Sequence, residues 1–419
     1  MNWCKKIYLP RSIISKPLYT FRTMSTFVKE QISVNSKFCS GNGDLVGING
    51  NVVDVKIRDE PFTQGEQKQH KQWFHFRVSG VKETEIIINI VNAGDVSFPE
   101  AYSNYNVCAS YDRKYWFRTP TTYDEKSGIM SWKMTPTNNQ IYFAYFAPYS
   151  LQQHYDLIGK CVASKECSVK SLGDSLDGRS IDYITMGTGP KKLWAIGRQH
   201  PGETQAEWWM EGLINRLLDP ADAISRHILK HATVHIVPNM NPDGSTRGHL
   251  RTNACGANLN REWANSTSLG EVYIAPSLER SPEVYHVLKQ LDSIGCDFFV
   301  DVHGDEELPY NFLSGSEGCK VWSPRLEKLQ NDFGAAYIVA TPDFQVGKGY
   351  DIDEPNQANP SMCSNQIAER FDCLSFTLEM PYKDTIDMPD NTVGWSAERS
   401  MNFGAAILTP IYQLLDQLR

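Results

Sequence analysis

The chain has 419 residues, 41% hydrophobic, 21% charged and 11% aromatic, which is enough for two domains with self-sufficient cores and excludes collagen, a coiled coil and global disorder. The formal net charge of −8 comes from 41 Lys+Arg against 49 Asp+Glu, and it argues against a broad phosphate-binding surface and a nucleic-acid partner. The charge is uneven: Lys5, Lys6, Arg11, Lys16, Arg22 and Lys29 all precede the first acid, Glu30, so the body beyond residue 29 carries 35 basic residues against 49 acids, a net of −14. Residues 1–29 therefore read as a basic leader, either a disordered tail, an extension ahead of a start at Met24, or a mitochondrial transit peptide. Pro10, Arg11, Lys16 and Pro17 break any secretory apolar core. Ten cysteines without a CxxC motif fit free thiols in a reducing compartment. No apolar run approaches the ~20 residues that span a bilayer, so no membrane partner is expected.

Residues 33–150 are dense in β-type runs: Phe74–Val78, Glu85–Val91, Val107–Tyr111, Tyr115–Arg118, Ile129–Met134 and Gln140–Phe146. Turn clusters such as Asn92-Ala93-Gly94-Asp95 separate them, and this spacing predicts an antiparallel β-sandwich domain. After Tyr149–Gly159 the pattern changes to strand–helix alternation through 155–419. Leu193–Ile196, Ala232–Val237, Asp297–Val302 and Cys373–Leu378 read as strands. Gln205–Leu218 reads as a helix capped by Thr204, followed by Pro282–Ile294, Arg325–Ala340 and Gln366–Phe371. Gly394–Leu418 reads as a long helix kinked at Pro410. The predicted fold class is α/β: a mixed, mainly parallel sheet covered by helices, preceded by the sandwich.

Three clusters carry chemistry. His200-Pro201-Gly202-Glu203 lies between a buried strand and a helix, and its His and carboxylate can share one metal. A metal site needs a third protein ligand, and His303, just past the strand Asp297–Val302, occupies the same sheet edge where α/β sites form. The competing pair His231 and His235 has helix-type spacing but lies on a strand, and reads as structural. The second cluster is Pro238-Asn239-Met240-Asn241-Pro242-Asp243-Gly244, continuing to Arg247, Arg251, Asn260 and Arg261. Such arginines suit a site that holds a carboxylate and polarises a carbonyl, although a solvated basic loop would look the same. Third, Glu379 ends an apolar strand, where a carboxylate is costly unless paired or put to work as a base beside a metal.

In order, HPGE at 200–203, NPDG at 241–244, RTNACGANLNREW at 251–263, DVHGDEELPYNF at 301–312 and TLEMPYK at 377–383 resemble the motifs of zinc metallocarboxypeptidases of the carboxypeptidase A-like family. The segments 98–121 and 146–150 resemble the added domain of the cytosolic carboxypeptidase branch. The resemblance implies one Zn2+ per chain held by His200, Glu203 and His303. It implies that Glu379 is the general base, Arg251 the polariser of the scissile carbonyl, and Asn260 with Arg261 the clamp on the C-terminal carboxylate. It further implies a peptide or protein tail as substrate, glutamate removal as one candidate activity, and a cytoplasmic location, with the mitochondrial one remaining as the alternative through the basic leader. The sequence departs from the family in three places. Asn258 stands where an Asp usually backs the first zinc histidine, and predicts a less basic ligand. Ser364 stands at a specificity position that is basic in deglutamylating relatives, leaving Lys348 or Arg370 as substitutes. Tyr350 is a candidate for the mobile active-site tyrosine at an unusual spacing. An amidohydrolase of small N-acyl amino acids on the same zinc scaffold is the alternative activity. An inactive binding module is the alternative from another class.

Overall fold

In the computed structural model, residues 31–62, 70–268 and 271–419 are described; the basic leader lies outside them. Two five-stranded sheets build the N-terminal sandwich. One runs, in spatial order, Ser33–Asn35, His75–Ser79, Gln140–Ala144, Val107–Ser110 and Phe117–Thr119, all antiparallel. The other runs Asp44–Asn49, Val52–Lys56, Ile86–Ile90, Ile129–Met134 and Thr121–Asp124. One pairing departs from the expected antiparallel pattern, because Val52–Lys56 and Ile86–Ile90 run parallel. Alternation does the building: Ile86, Ile88 and Ile90 are fully buried while their neighbours are not. Trp132 of one sheet meets Phe143 of the other edge-on at 5.2 Å, which welds the two inner faces.

The second half is a seven-stranded sheet in the order Cys167–Asp174, Ser180–Met186, Ala232–Val237, Lys191–Gly197, Phe298–Val302, Leu374–Glu379 and Phe312–Ser314. The four strands from Ala232–Val237 to Leu374–Glu379 are parallel, and the flanking strands join them antiparallel. The sheet is thus mixed, with parallel pairing at its centre. Both faces are covered. Along Lys191–Gly197, Leu193 and Ala195 pack into one apolar core with Trp209, Leu213 and Phe298, while Trp194 and Ile196 pack into another with Val284, Leu291 and Ile367. Such two-sided burial explains the continuous apolar runs in these strands.

Two helical expectations change on inspection. Thr204 does not cap Gln205–Leu217; its hydroxyl donates to the carbonyl of Ala147 at 2.9 Å, tying the helix start to the end of the sandwich. The C-terminal segment is two helices, Ala397–Ala406 and Leu408–Leu414, because Pro410 has no N–H to continue the ladder back to Ala406. The two halves of the chain meet over a broad front. Tyr145 stacks on Tyr382 with ring centroids 4.3 Å apart, and Arg118 donates to the carbonyls of Tyr382 (2.7 Å), Trp395 (2.8 Å) and Val393 (3.2 Å). No helix among the described residues is long and apolar enough to cross a membrane.

Candidate metal centre and active site

The parallel register aligns three strand ends. Gly197 pairs with Val302, and Val302 with Leu378, so the residues that follow these strands emerge side by side. His200, Glu203, His303 and Glu379 all lie at this edge and all are buried. Glu203 bridges the two histidines: its Oε1 is 2.6 Å from His200 Nδ1, and its Oε2 is 2.8 Å from His303 Nδ1. The two Nδ1 atoms are 3.2 Å apart, and the donor atoms of all three residues fall within 4.8 Å of one another.

The outward nitrogens explain why this trio suits a cation. His200 Nε2 faces Asn258 Oδ1 at 3.0 Å, and His303 Nε2 is 2.9 Å from Asp301 Oδ2, off the ideal hydrogen-bond line. Both partners are acceptors, so each ring keeps its proton on Nε2 and turns a lone pair inward. Two lone-pair nitrogens and a carboxylate then converge, with the Gly304 amide donating to Glu203 Oε2 at 3.1 Å. That is a stable arrangement around a divalent cation, and the two-His, one-Glu set matches zinc. Asp301 also accepts from Gln199 Nε2 at 2.6 Å, and Gln199 Oε1 accepts from Trp263 Nε1 at 2.8 Å, which locks the support.

Electrostatics point the same way for His200 and Glu203. At His303, by contrast, burial works to lower the imidazole but Asp301 and Glu203 outweigh it and hold it well above its usual range, a proton that a bound cation would displace. Burial pushes the His200 imidazole down to about 4, against the pull of Glu203 and with Arg251 reinforcing the drop, so it is a neutral ligand at neutral pH. Burial works to raise Glu203, but the two imidazoles outweigh it and hold the carboxyl below its usual range. Glu379 is pushed well above the usual carboxylate range by burial, with Glu203, Asp305 and Glu306 adding to the rise and His303 opposing it. Its Oε2 has no hydrogen-bond partner among the described residues. A pocket crowded with buried carboxylates and short of compensating charge is one that a cation would relieve.

The polar groups expected around this centre are largely brought to it. The Arg251 charge is close enough to act on both His200 and Glu306. Asn258, Asn260 and Arg261 share one tight turn over Leu259–Arg261, which presents Asn258 to the first histidine. Asn260 Oδ1 accepts from the Cys363 amide at 2.8 Å, fixing that turn to the start of the helix Cys363–Phe371. Tyr350 inserts its hydroxyl while its ring stays half exposed: it donates to Asp305 Oδ2 at 2.6 Å and lies 3.3 Å from Glu379 Oε1.

Other expectations fail for local reasons. Arg247 is engaged elsewhere: its guanidinium donates to Asp177 at 2.7 and 3.0 Å and to the carbonyl of Ala254 at 3.0 Å. Arg370 is held by Asp292 at 2.5 and 2.7 Å on the outer surface, so it cannot select a substrate side chain. Ser364 is buried against Thr377, with their hydroxyls 3.0 Å apart. His235 stacks on Trp194 with ring centroids 4.7 Å apart and shares a hydrogen bond with the Tyr183 hydroxyl, as a structural histidine should. The NPDG motif turns out to be scaffolding: Asn241 accepts from the Gly244 amide and donates to the carbonyl of Gln199 next to the first ligand. Asp301 was missed by sequence reading, although an acid inside an otherwise apolar strand two residues before His303 is a usable signal.

Comparison with known proteins identifies both halves of the chain. The zinc carboxypeptidase family model matches residues 161–393, and that of the cytosolic carboxypeptidase N-terminal domain matches residues 34–146. A metallo-carboxypeptidase from Burkholderia cenocepacia superposes with a TM-score of 0.86 at 41% identity, covering 92% of this chain and 100% of that one. A metallo-carboxypeptidase from Pseudomonas aeruginosa, solved in complex with (2-guanidinoethylmercapto)succinic acid, gives 0.86 at 39% identity over the same shares. Cytosolic carboxypeptidase 1 of Xenopus laevis is 25% identical over 81% of this chain, which spans only 32% of that protein. The chain belongs to the zinc carboxypeptidase family and is a hydrolase of the metallocarboxypeptidase class.

Proposed function

We propose that the protein removes the C-terminal residue of peptides or protein tails, with one Zn2+ held by His200, Glu203 and His303. The observation that carries this reading is the convergence of three inward-facing acceptors beside a buried glutamate with an unpartnered carboxylate oxygen. Zinc, when bound there, supplies a Lewis acid that polarises the scissile carbonyl and makes water acidic. Glu379 Oε2 takes a proton from the attacking water as its oxygen bonds to the carbonyl carbon. It returns that proton to the amine nitrogen as the C–N bond breaks. Burial raises its affinity for a proton, which suits the return step, and a cation held beside it would favour the ionised form that accepts the proton first. Arg251 offers a cation to the oxygen that gains negative charge. Asn260 and Arg261, on the neighbouring turn, would hold the terminal carboxylate. The buried Glu379 excludes bulk water from the proton it carries, and the Tyr350 hydroxyl closes over it.

A cavity of about 610 Å3 lies beyond Tyr350, which is the one residue it shares with the proposed catalytic and clamping groups. It is lined by Glu317, Asp351 and Asp353 against one lysine, Lys348. The cytosolic carboxypeptidase relatives support a cytoplasmic site of action. A C-terminal peptide library read by mass spectrometry, with zinc measured on the same sample, tests the proposal. Loss of single C-terminal residues supports it. Cleavage of small N-acyl amino acids with intact peptides would overturn it in favour of an amidohydrolase.

A further inference from the structure

The loop that carries Arg251 is held from outside its own half of the chain. Ser40 N donates to the carbonyl of Thr246 at 2.9 Å, and Asn42 Nδ2 donates to that of Gly248 at 3.2 Å. Gly248 has φ +75°, and a Cβ there would stand 2.9 Å from the carbonyl oxygens of both Ser40 and Gly41, so only glycine permits this approach. The third strap is Glu60, a sandwich residue only 1% exposed. Its Oε1 accepts from the amides of Leu250 (2.6 Å) and Arg251 (2.9 Å), and its Oε2 accepts from the amide (2.9 Å) and hydroxyl (2.6 Å) of Thr252. Three consecutive amides converging on one carboxylate form an anion-binding nest, filled here by a side chain from 191 positions earlier in the chain. The same loop continues to the metal ligands, since the Leu250 carbonyl accepts from the Gly202 amide at 2.8 Å. No hydrogen bond among the described residues holds the Arg251 guanidinium, so its backbone is what aims it.

We propose that Glu60 is a positioning residue: its carboxylate sets the backbone of 250–252 and thereby directs Arg251 at the developing oxyanion. This inference rests on the reading of Arg251 given above. It also gives the sandwich a function, as the outer wall that shapes the catalytic loop. Charge-assisted bonds to buried amides are strong and have few substitutes once the donors are out of water. Glu60→Gln keeps the shape but turns an NH2 toward at least one of those donors, so the loop must shift. A shift on the order of 1 Å at a transition-state group lowers turnover more than binding.

The test is a double-mutant cycle on a peptide that the wild-type enzyme cleaves, with zinc content and Tm measured on every variant. Glu60→Gln should lower kcat by about tenfold or more with KM within about twofold and zinc retained, and should lower kcat no further when added to Arg251→Ala. A kcat within about twofold of wild type, or an equal fold loss in both backgrounds, overturns the inference. If Arg251→Ala leaves kcat unchanged, the oxyanion assignment fails and the inference falls with it; if only Glu60→Gln is silent, the inference alone fails. Should Glu60→Gln not fold, Thr252→Val removes one of the four bonds without changing side-chain size. It should cost a few-fold in kcat, only where Arg251 is present, and an unchanged kcat overturns the proposal.

Discussion

Asp301→Asn isolates the charge behind the second metal histidine. Asp301 is fully buried, and its Oδ2 serves both His303 Nε2 at 2.9 Å and Gln199 Nε2 at 2.6 Å. Asparagine can keep an oxygen at that position, so both contacts survive and the negative charge alone is lost. Residues that back a metal histidine are worth about 10–100-fold in metal affinity when replaced. A substitution that retains the oxygen belongs near the low end, about tenfold or ~1.4 kcal/mol. Asp301→Ala also strands the Gln199 amide and belongs near the high end, about 100-fold. The assay is zinc competition against a chromogenic chelator at fixed pH, with a denaturation midpoint to show that each variant is folded. If Asp301→Asn binds zinc as tightly as wild type, the carboxylate does not tune His303, and the argument for inward-facing lone pairs loses its stronger half.

Asn258→Asp is the converse experiment: it places a charge 3.0 Å from His200 Nε2, and should tighten zinc binding by up to about tenfold in the same competition assay. Equal or weaker binding would mean that the neutral amide costs the ligand nothing. The buried network Arg198–Glu207–His154–Asp182 makes a prediction about pH. Burial works to lower the His154 imidazole, but Glu207 and Asp182 outweigh it and raise it to about 9. A group raised in the folded state stabilises fully below its unfolded value of about 6.5, and that contribution is lost as pH rises through about 9. Denaturant midpoints should therefore show a loss on the order of 3 kcal/mol between pH 6.5 and 9.5, absent in His154→Gln. A wild-type protein equally stable across that window contradicts the assignment.

The metal edge was legible because the physics that places it is local. Short apolar runs of parallel-sheet type end at His200, His303 and Glu379, and parallel register brings such ends together. The helix Leu151–Ala163 is not among the elements read from the sequence, although Ser150 and Gln153 form a reciprocal capping box that marks its start. The strands Asp44–Asn49 and Cys167–Asp174 lie at sheet edges with little buried area, so no alternation announces them. Charged loop residues were the least legible. Arg247, Arg251 and Arg261 look alike in sequence, and only the position of Asp177 decides that the first is structural. Glu60 has no sequence signal at all, because its partners are backbone amides in the other half of the chain.

The central claim is that one zinc ion and Glu379 together perform peptide hydrolysis. Metal content and single-residue release, measured side by side on wild type and Glu379→Gln, test it most directly. The account predicts one zinc per chain in both proteins, with the variant's turnover lower by at least ~100-fold. Turnover that survives in Glu379→Gln, or active wild-type protein that holds no zinc, would contradict it.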